Sequence, residues 1–387
     1  MKRFFLVVMI CFFCLSATMG LCVQKDVKIS FATNEVEISS PSACLVDYES
    51  GEVLFAKNER EKRPVASMVK MMTILLTLED LESGRVELND KLTTSEEASS
   101  MGGSQVFVEP YQKYTIEDML KSVIMASAND ASVALAEHLN GSEETFVKRM
   151  NKRAEEIGMT CTNYVNCTGL PAPEQYSSAF DSAIVLKEVT KFDTYHKYST
   201  RWIDKLTHSK GRETELVNTN KLIRYYEGCD GGKTGSTNEA GCCLSATAKK
   251  GDMRLISVIV GAQNSKTRFN ECSKLFNYGF ANFKNETLAK EGEIVKTISV
   301  VKGKKDNVDL YAKESFVALL KKGDASAYTY EIVVPEKIKA TILAGEVLGK
   351  IVVMKNGEVI KEIDLLAKDS IEKLGYKDFV DRVIENW

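Results

Sequence analysis

Two hairpin-like stretches lie far apart in this chain, and most of what can be read between them carries helical periodicity. The first runs Ala43-Cys44-Leu45-Val46-Asp47, turns through Glu49-Ser50-Gly51-Glu52 and returns as Val53-Leu54-Phe55-Ala56. The second follows Gly231-Gly232-Lys233-Thr234-Gly235: it runs from Cys242 to Ala248, turns at Lys250-Gly251-Asp252 and returns as Arg254 to Gly261. Short apolar runs bounded by turn residues predict strands paired in this way. Helices with apolar inner faces between an early and a late hairpin predict an α/β (α+β) architecture, a mixed sheet covered by helices.

The helices have their own punctuation. After Pro64 the pattern turns helical at Ser67, continues through the apolar run Met71–Leu76 and stops at Ser83-Gly84. Thr115-Ile116-Glu117-Asp118 has the spacing of an N-terminal cap. From there Leu120, Val123 and Ile124, then Ala131, Val133, Ala134, Leu135 and Leu139, keep a helical period as far as Asn140-Gly141. Ser127-Ala128-Asn129 falls at the break between these two helices. Residues 143–158 predict a helix closed by Gly158, residues 165–178 a loop, and residues 265–276 a last helix of this half.

Near residue 286 the style changes to short, β-branched, alternating segments: Ile294–Val301, Tyr328–Val334, Ile351–Met354 and Glu358–Ile363, the last two joined by the turn signal Asn356-Gly357. Residues 287–368 therefore read as a small C-terminal all-β domain, and residues 369–387 as a helical tail. Phe379, Val380, Val383, Ile384 and Trp387 would share one face of that tail. It is a candidate for peripheral membrane contact, or else a packing or frayed terminal helix. Asp378, Asp381 and Glu385 outnumber Lys377 and Arg382, so anionic lipid would not attract it.

At 387 residues, with 44% hydrophobic and 27% charged residues, the chain has the composition of a soluble globular protein of two domains or one large one. A net charge of −3 gives no reason to expect a nucleic-acid partner. Residues 1–22 have the layout of a secretory signal peptide: Lys2-Arg3, the apolar run Phe4–Leu15, then Ser16, Ala17 and Gly20. An uncleaved anchor is the other reading, and both place the remaining chain, from residue 23, outside the cytoplasm. Ten cysteines include Cys11, Cys14 and Cys22 in that segment; the seven others read mostly as small buried hydrophobes, and no mature pair has zinc-finger spacing.

Three short motifs carry the chemistry: Ser67-x-x-Lys70, Ser127-Ala128-Asn129 and Lys233-Thr234-Gly235. Residues three apart on a helix are neighbours, so Ser67 and Lys70 share a face. A serine hydroxyl becomes a nucleophile when a base takes its proton, and a lysine amine is such a base once burial or a nearby cation lowers its pKa. Taken alone, the pair also reads as a capping serine and a surface lysine. What changes that reading is the order of all three motifs, one opening a helix, one between helices and one entering a strand.

With Pro64–Thr73, Gly102-Gly103-Ser104, Ser127–Ala131, Asn166–Leu170 and Gly232–Gly235, the chain resembles the D-alanyl-D-alanine carboxypeptidases, low-molecular-mass penicillin-binding proteins, over roughly residues 30–285. The β domain that follows resembles that family's C-terminal domain more loosely. The resemblance implies a β-lactamase/transpeptidase-like catalytic domain over residues 23–285, with helices packed on a mostly antiparallel sheet. It also implies removal of the terminal D-alanine from peptidoglycan stem peptides through an acyl-enzyme, without cofactor or metal, and covalent inhibition by β-lactam antibiotics. Ser67 would be the nucleophile, Lys70 its base and Ser127 a proton relay to the departing amine. Asn129 would orient Lys70 and bind the peptide backbone. Lys233 and Thr234 of the Lys233-Thr234-Gly235 motif would receive the terminal carboxylate, and the positive charge of Lys233 would disfavour protonation of Lys70. The N–H groups of Ser67 and Ser236 would form the oxyanion hole. Arg268 matches a family arginine near the carboxylate pocket, or is a surface helix arginine.

Departures and competitors are few. The middle triplet is Ser-Ala-Asn, as is usual in that family and unlike class A β-lactamases; Cys167 and Gln175 stand where relatives often carry other residues. A phosphate-binding loop ending at Lys233 would need glycine at Glu227, and a Ser-His-Asp triad would have to use His138, His196 or His208, none in a supporting motif. No H-E-x-x-H occurs. Two other functions remain. A class A β-lactamase needs a later E-x-x-x-N, whereas Glu137 and Asn140 are three apart and close to Asn129; a peptidoglycan-binding protein with feeble catalysis would keep the fold alone.

Overall fold

The computed structural model describes residues 36–323 and 328–385, so residues 1–22, read above as a signal peptide, and most of the lead-in lie outside the described residues. The two hairpins form as read, as β1 (Ser42–Asp47) with β2 (Val53–Lys57), and β4 (Gly241–Lys250) with β5 (Met253–Ala262). The Lys233 segment is β3 (Cys229–Thr237), and the sheet order is β2-β1-β5-β4-β3. Every neighbouring pair is antiparallel, which corrects the mixed sheet expected from element order. The reason is the junction: β1 docks on β5 in antiparallel register, with Ala43 opposite Ile259 and Val46 opposite Ile256. Strand β3 is left as an edge, with one row of backbone groups unpaired by any strand.

Helices cover both faces. On one side lie α1 (Lys70–Glu82), α2 (Ile116–Met125), α3 (Asn129–Asn140), α4 (Glu143–Glu156) and α5 (Ala179–Val189), whose apolar residues form one cluster with Cys44, Val46, Ile256, Val258 and Val260 of the sheet. Helix α1 is buried continuously from Lys70 to Leu78, the signature of a central helix rather than an amphipathic surface one. It does not start at Ser67; a tight 3₁₀ turn, Ala66–Val69, precedes it. Thr115 caps α2, its hydroxyl accepting from Asp118 N at 3.0 Å, and Gly141 ends α3 in the left-handed conformation.

On the opposite face α6 (Ser265–Asn282) packs Cys272, Leu275 and Phe276 against Leu45, Leu244, Leu255 and Ile259. It runs beyond the Phe276 expected from periodicity, because its buried face continues at Gly279, which has no side chain for an apolar period to register. Between α5 and β3 the sequence offered no assignment. The structure has a short helix, Asp193–Ser199, and a hairpin pairing Ile203–Thr207 with Glu213–Val217 there.

Strand β6 (Phe283–Ala289) follows α6 without a linker and pairs with β9 (Phe316–Lys321). The remaining strands are β7 (Ile294–Val301), β8 (Asn307–Ala312), β10 (Tyr328–Val333), β11 (Lys337–Lys339), β12 (Val347–Lys355) and β13 (Glu358–Ala367). They form a sheet in the order β10-β12-β13-β8-β7-β11 over a separate apolar cluster. Asn356-Gly357 makes the expected two-residue turn, with Lys355 opposite Glu358. Ile371 and Lys373 bridge back to Ile342 and Gly303, so the tail helix α7 begins only at Tyr376 and runs to Glu385. Trp387 lies outside the described residues, and among the described residues no helix is long and apolar enough to cross a membrane. The seven described cysteines are free thiols, and Cys44, Cys167, Cys229, Cys243 and Cys272 are buried as small hydrophobes.

Candidate active site

The 3₁₀ turn and the first residue of α1 bring Ser67 and Lys70 together: Lys70 Nζ donates to Ser67 Oγ across 3.1 Å. Lys70 is fully buried, which rules out the surface-lysine reading, and its amine also donates to the Thr168 carbonyl. That carbonyl is held in place by its neighbours. Asn166 Oδ1 accepts from Gly169 N at 2.7 Å, Thr73 Oγ1 and Ser132 Oγ both donate to Cys167 O, and Gln175 Oε1 accepts from Asn166 N at 3.0 Å. Gly169 has φ +79°, and a side chain there would run into the Ala66 carbonyl and Ser67 N. The loop containing Cys167 and Gln175 thus positions the acceptor beneath the amine.

Ser127 sits between α2 and α3 with φ +61°, a left-handed conformation that non-glycine residues adopt at a cost. This presents its hydroxyl to Lys233 Nζ, which donates to it at 2.6 Å and to Thr234 O at 3.2 Å. Asn129 opens α3. Its side-chain amide donates to Gly102 O at 2.6 Å and its backbone N–H to Ser104 O at 2.7 Å, while its Oδ1 is buried with no partner among the described residues. A buried acceptor left unpaired is costly unless a ligand supplies the donor. Next to it, Asp130 accepts from Val106 N and Val108 N, both at 3.1 Å, and so anchors the Gly102–Val108 loop to the helix. Nothing in the sequence pattern assigned Asp130 that work.

The edge strand β3 closes the cleft. Gly235 passes so near the Ser67 turn that a Cβ on it would lie 2.5 Å from Val65 O and 3.1 Å from Ser67 N. Ser67 N thereby sits beside the Gly235-Ser236 segment, as a two-donor oxyanion hole needs. Ser236 itself is exposed. Arg268 is 9% exposed, so the surface-arginine reading fails; its Nη1 donates to Gly235 O at 2.9 Å and Cys243 O at 3.2 Å, bracing the strand from behind. Gly235→Ala is expected to force β3 away from the Ser67 turn, and a displacement of about 1 Å is enough to cost about 100-fold in rate. The check is the rate of covalent labelling of Ser67 against the circular-dichroism melt: slow labelling with a near-native melt is the expected result.

Two amines share this pocket. Burial lowers the Lys70 pKa to about 7, against small opposing pulls from Cys167 and Asp130. Burial likewise pushes Lys233 well below its ordinary value, and the positive charges of Lys70 and Arg268 add to that. Of the two causes the sequence offered for a neutral Lys70, burial and the nearby Lys233 cation, burial comes first in the structure. An incoming carboxylate beside Lys233 would favour the protonated form of that amine. Of the histidines, His208 is tied to Tyr114 and Thr214, and His196 to Thr190 O; among the described residues neither pairs with a serine.

The D-alanyl-D-alanine carboxypeptidase family matches residues 29–264, and the penicillin-binding protein 5 C-terminal domain matches residues 283–373. The D-alanyl-D-alanine carboxypeptidase DacF of Bacillus subtilis (strain 168) is 42% identical over 92% of each chain. DacC of Escherichia coli (strain K12), of the same description, is 34% identical over 89% of this chain and 88% of its own. The crystal structure of penicillin binding protein 5 from Haemophilus influenzae superposes with a TM-score of 0.72 at 32% identity, covering 87% of this chain and 98% of that one.

Proposed function

The chain belongs to the D-alanyl-D-alanine carboxypeptidase family, and from that premise we propose how its cleft works as a serine-type carboxypeptidase on peptidoglycan stem peptides. The observation that carries the proposal is the Ser67 hydroxyl 3.1 Å from a buried amine whose pKa is about 7. Neutral Lys70 accepts the Ser67 proton as Oγ attacks the carbonyl between the two D-alanines. The N–H groups of Ser67 and Ser236 receive the developing oxyanion. Ser127, whose oxygen already accepts from Lys233, is free to donate its own proton to the departing amine, and D-alanine leaves. Lys70 passes the proton it took to Ser127; water then attacks the Ser67 ester, giving its proton to neutral Lys70, which returns it to Ser67 Oγ as the ester bond breaks. Thr234, protonated Lys233 and the Arg268-braced strand hold the terminal carboxylate; Asn129 Oδ1 accepts from the substrate backbone.

A penicillin presents an amide and carboxylate in the same relation, so it acylates Ser67 and its tethered leaving group stays in the cleft. The β-lactamase reading has less support: Glu137 accepts from Ser95 Oγ at 3.0 Å and Asn140 from Arg149 at 3.2 Å, so neither is poised to activate water. The secretory layout of residues 1–22 and the extracellular substrate support action outside the cytoplasm in cell-wall biogenesis, with α7 as a candidate peripheral membrane contact. The test is D-alanine release from diacetyl-Lys-D-Ala-D-Ala. Release together with a long-lived penicillin adduct is expected; rapid penicillin turnover without release would mean a β-lactamase, and neither activity a binding protein.

A further inference from the structure

Strand β3 is an edge, yet the start of its open row is filled by side chains. In an antiparallel strand alternate residues turn both backbone groups outward. Gly232 is one of them: its N–H donates to Tyr195 Oη at 2.8 Å, and the same hydroxyl donates to Gly232 O at 3.4 Å. Thr234 comes next in the row, its carbonyl taken by Lys233 Nζ at 3.2 Å, and the row then opens at the exposed Ser236. A single phenol thus stands where the first rung of a sixth strand would. Gly231 admits its ring, since a Cβ there would lie 2.8 Å from Tyr195 Cε1. Beside it, Asn220 Nδ2 donates to Gly231 O at 3.1 Å. Both side chains are fully buried, and neither takes part in the proton transfers proposed above.

Both are also tied to α2, the helix whose end leads into Ser127. The short helix Asp193–Ser199 that carries Tyr195 reaches α2 at Glu117, which accepts from Lys197 Nζ at 2.9 Å and from the Tyr198 hydroxyl. Thr219, next to Asn220, donates its N–H at 3.0 Å to the carbonyl of Met125, the last residue of α2. Two straps therefore join the element that presents Ser127 to the strand that presents Lys233, and the 2.6 Å bond between those two side chains spans the same gap.

We propose that Tyr195 and Asn220 are positioning residues of the carboxypeptidase reaction: they stand in for a missing strand partner at Gly231-Gly232 and hold Lys233 in register with Ser127, where its ammonium meets the terminal carboxylate. The inference rests on the proposed role of Lys233 in holding that carboxylate. Its effect is confined to the Lys233 side of the cleft. Lys70 is held by separate contacts, to Ser67 Oγ at 3.1 Å and to the Thr168 carbonyl. Removing the phenol hydroxyl leaves a buried Gly232 N–H without its acceptor, and the strand must shift to find another.

The test compares diacetyl-Lys-D-Ala-D-Ala with the same peptide ending in a carboxamide, following diacetyl-Lys-D-Ala formed from each. The wild type should prefer the carboxylate by about 100-fold or more in kcat/KM. Tyr195→Phe keeps the ring and loses both bonds to Gly232; Asn220→Ser draws the donor back from Gly231 O. Each should cut that preference about tenfold, while the acid limb set by Lys70 stays near pH 7. General loosening lowers both peptides alike, and ratios within one variant cancel losses of folded protein. A preference unchanged in either variant would overturn that residue's role while leaving the carboxypeptidase reading intact. A fall in preference with a displaced acid limb would mean a general disturbance of the cleft, and would overturn it equally. Equal use of both peptides by the wild type would overturn the role of Lys233 and the positioning residues with it.

Discussion

Ser67→Ala is expected to lower D-alanine release by about 10⁴-fold or more and to abolish the penicillin adduct, while leaving the fold in place. The size follows from removing the atom that forms the acyl-enzyme, for which no neighbour substitutes. Ser127 is another hydroxyl in the cleft, but its oxygen accepts from Lys233 at 2.6 Å, whereas the Lys70 amine bonds Ser67. Ser67 is half-buried in a 3₁₀ turn, and among the described residues its side chain bonds only Lys70, so the truncation removes little packing. Steady-state release and a thermal melt on the same preparation check this; wild-type release by the variant would mean another nucleophile.

The second large effect is on pH. Acylation needs the neutral amine of Lys70, so its rate should climb with pH through about 7 and fall about tenfold per unit below it. Lys70→Met should cost about 10³-fold and erase that limb. The same burial acts on stability with a defined sign. Lysine in the unfolded chain keeps its proton up to about 10.5, whereas folded Lys70 releases it near 7, so between those values the unfolded state binds more protons and stability rises with pH. Below about 7 both states are protonated and this slope disappears. Lys233, also depressed, contributes in the same direction, so Lys70→Met should flatten the slope above pH 7 without removing it. Pre-steady-state acylation and urea titrations across that range measure both; an acylation rate flat from pH 5 to 9 would take Lys70 out of the base role.

What could be read in the sequence was what side-chain identity encodes locally. The hairpins around Gly51 and Gly251, the cap at Thr115 and the stop at Gly141 follow from turn and capping residues, and they place Ser67, Ser127 and Lys233 on their elements. Helix α5 escaped because the buried residues of its first half, Ala179, Asp181, Ser182 and Ala183, are small or polar, which leaves only Val185, Leu186 and Val189 to carry an apolar period. The partner of Lys70 at Thr168 is a backbone carbonyl, a group every residue carries, and only the loop geometry set by Asn166 and Gln175 singles it out. Asp130 looked like part of a helix start and proved to anchor a loop more than twenty residues upstream in sequence. Arg268 could be settled only by the packing of α6, which turns its guanidinium onto Gly235 rather than into solvent.

One reaction brings these elements to a single bond. Intact-mass spectrometry of the protein treated with benzylpenicillin, followed by peptide mapping, reads it directly. The account predicts one adduct of the full antibiotic mass, persisting through the incubation and mapping to Ser67, with none on Lys70→Met over the same interval. An unmodified protein, or an adduct on Ser127 or any other residue, would contradict it.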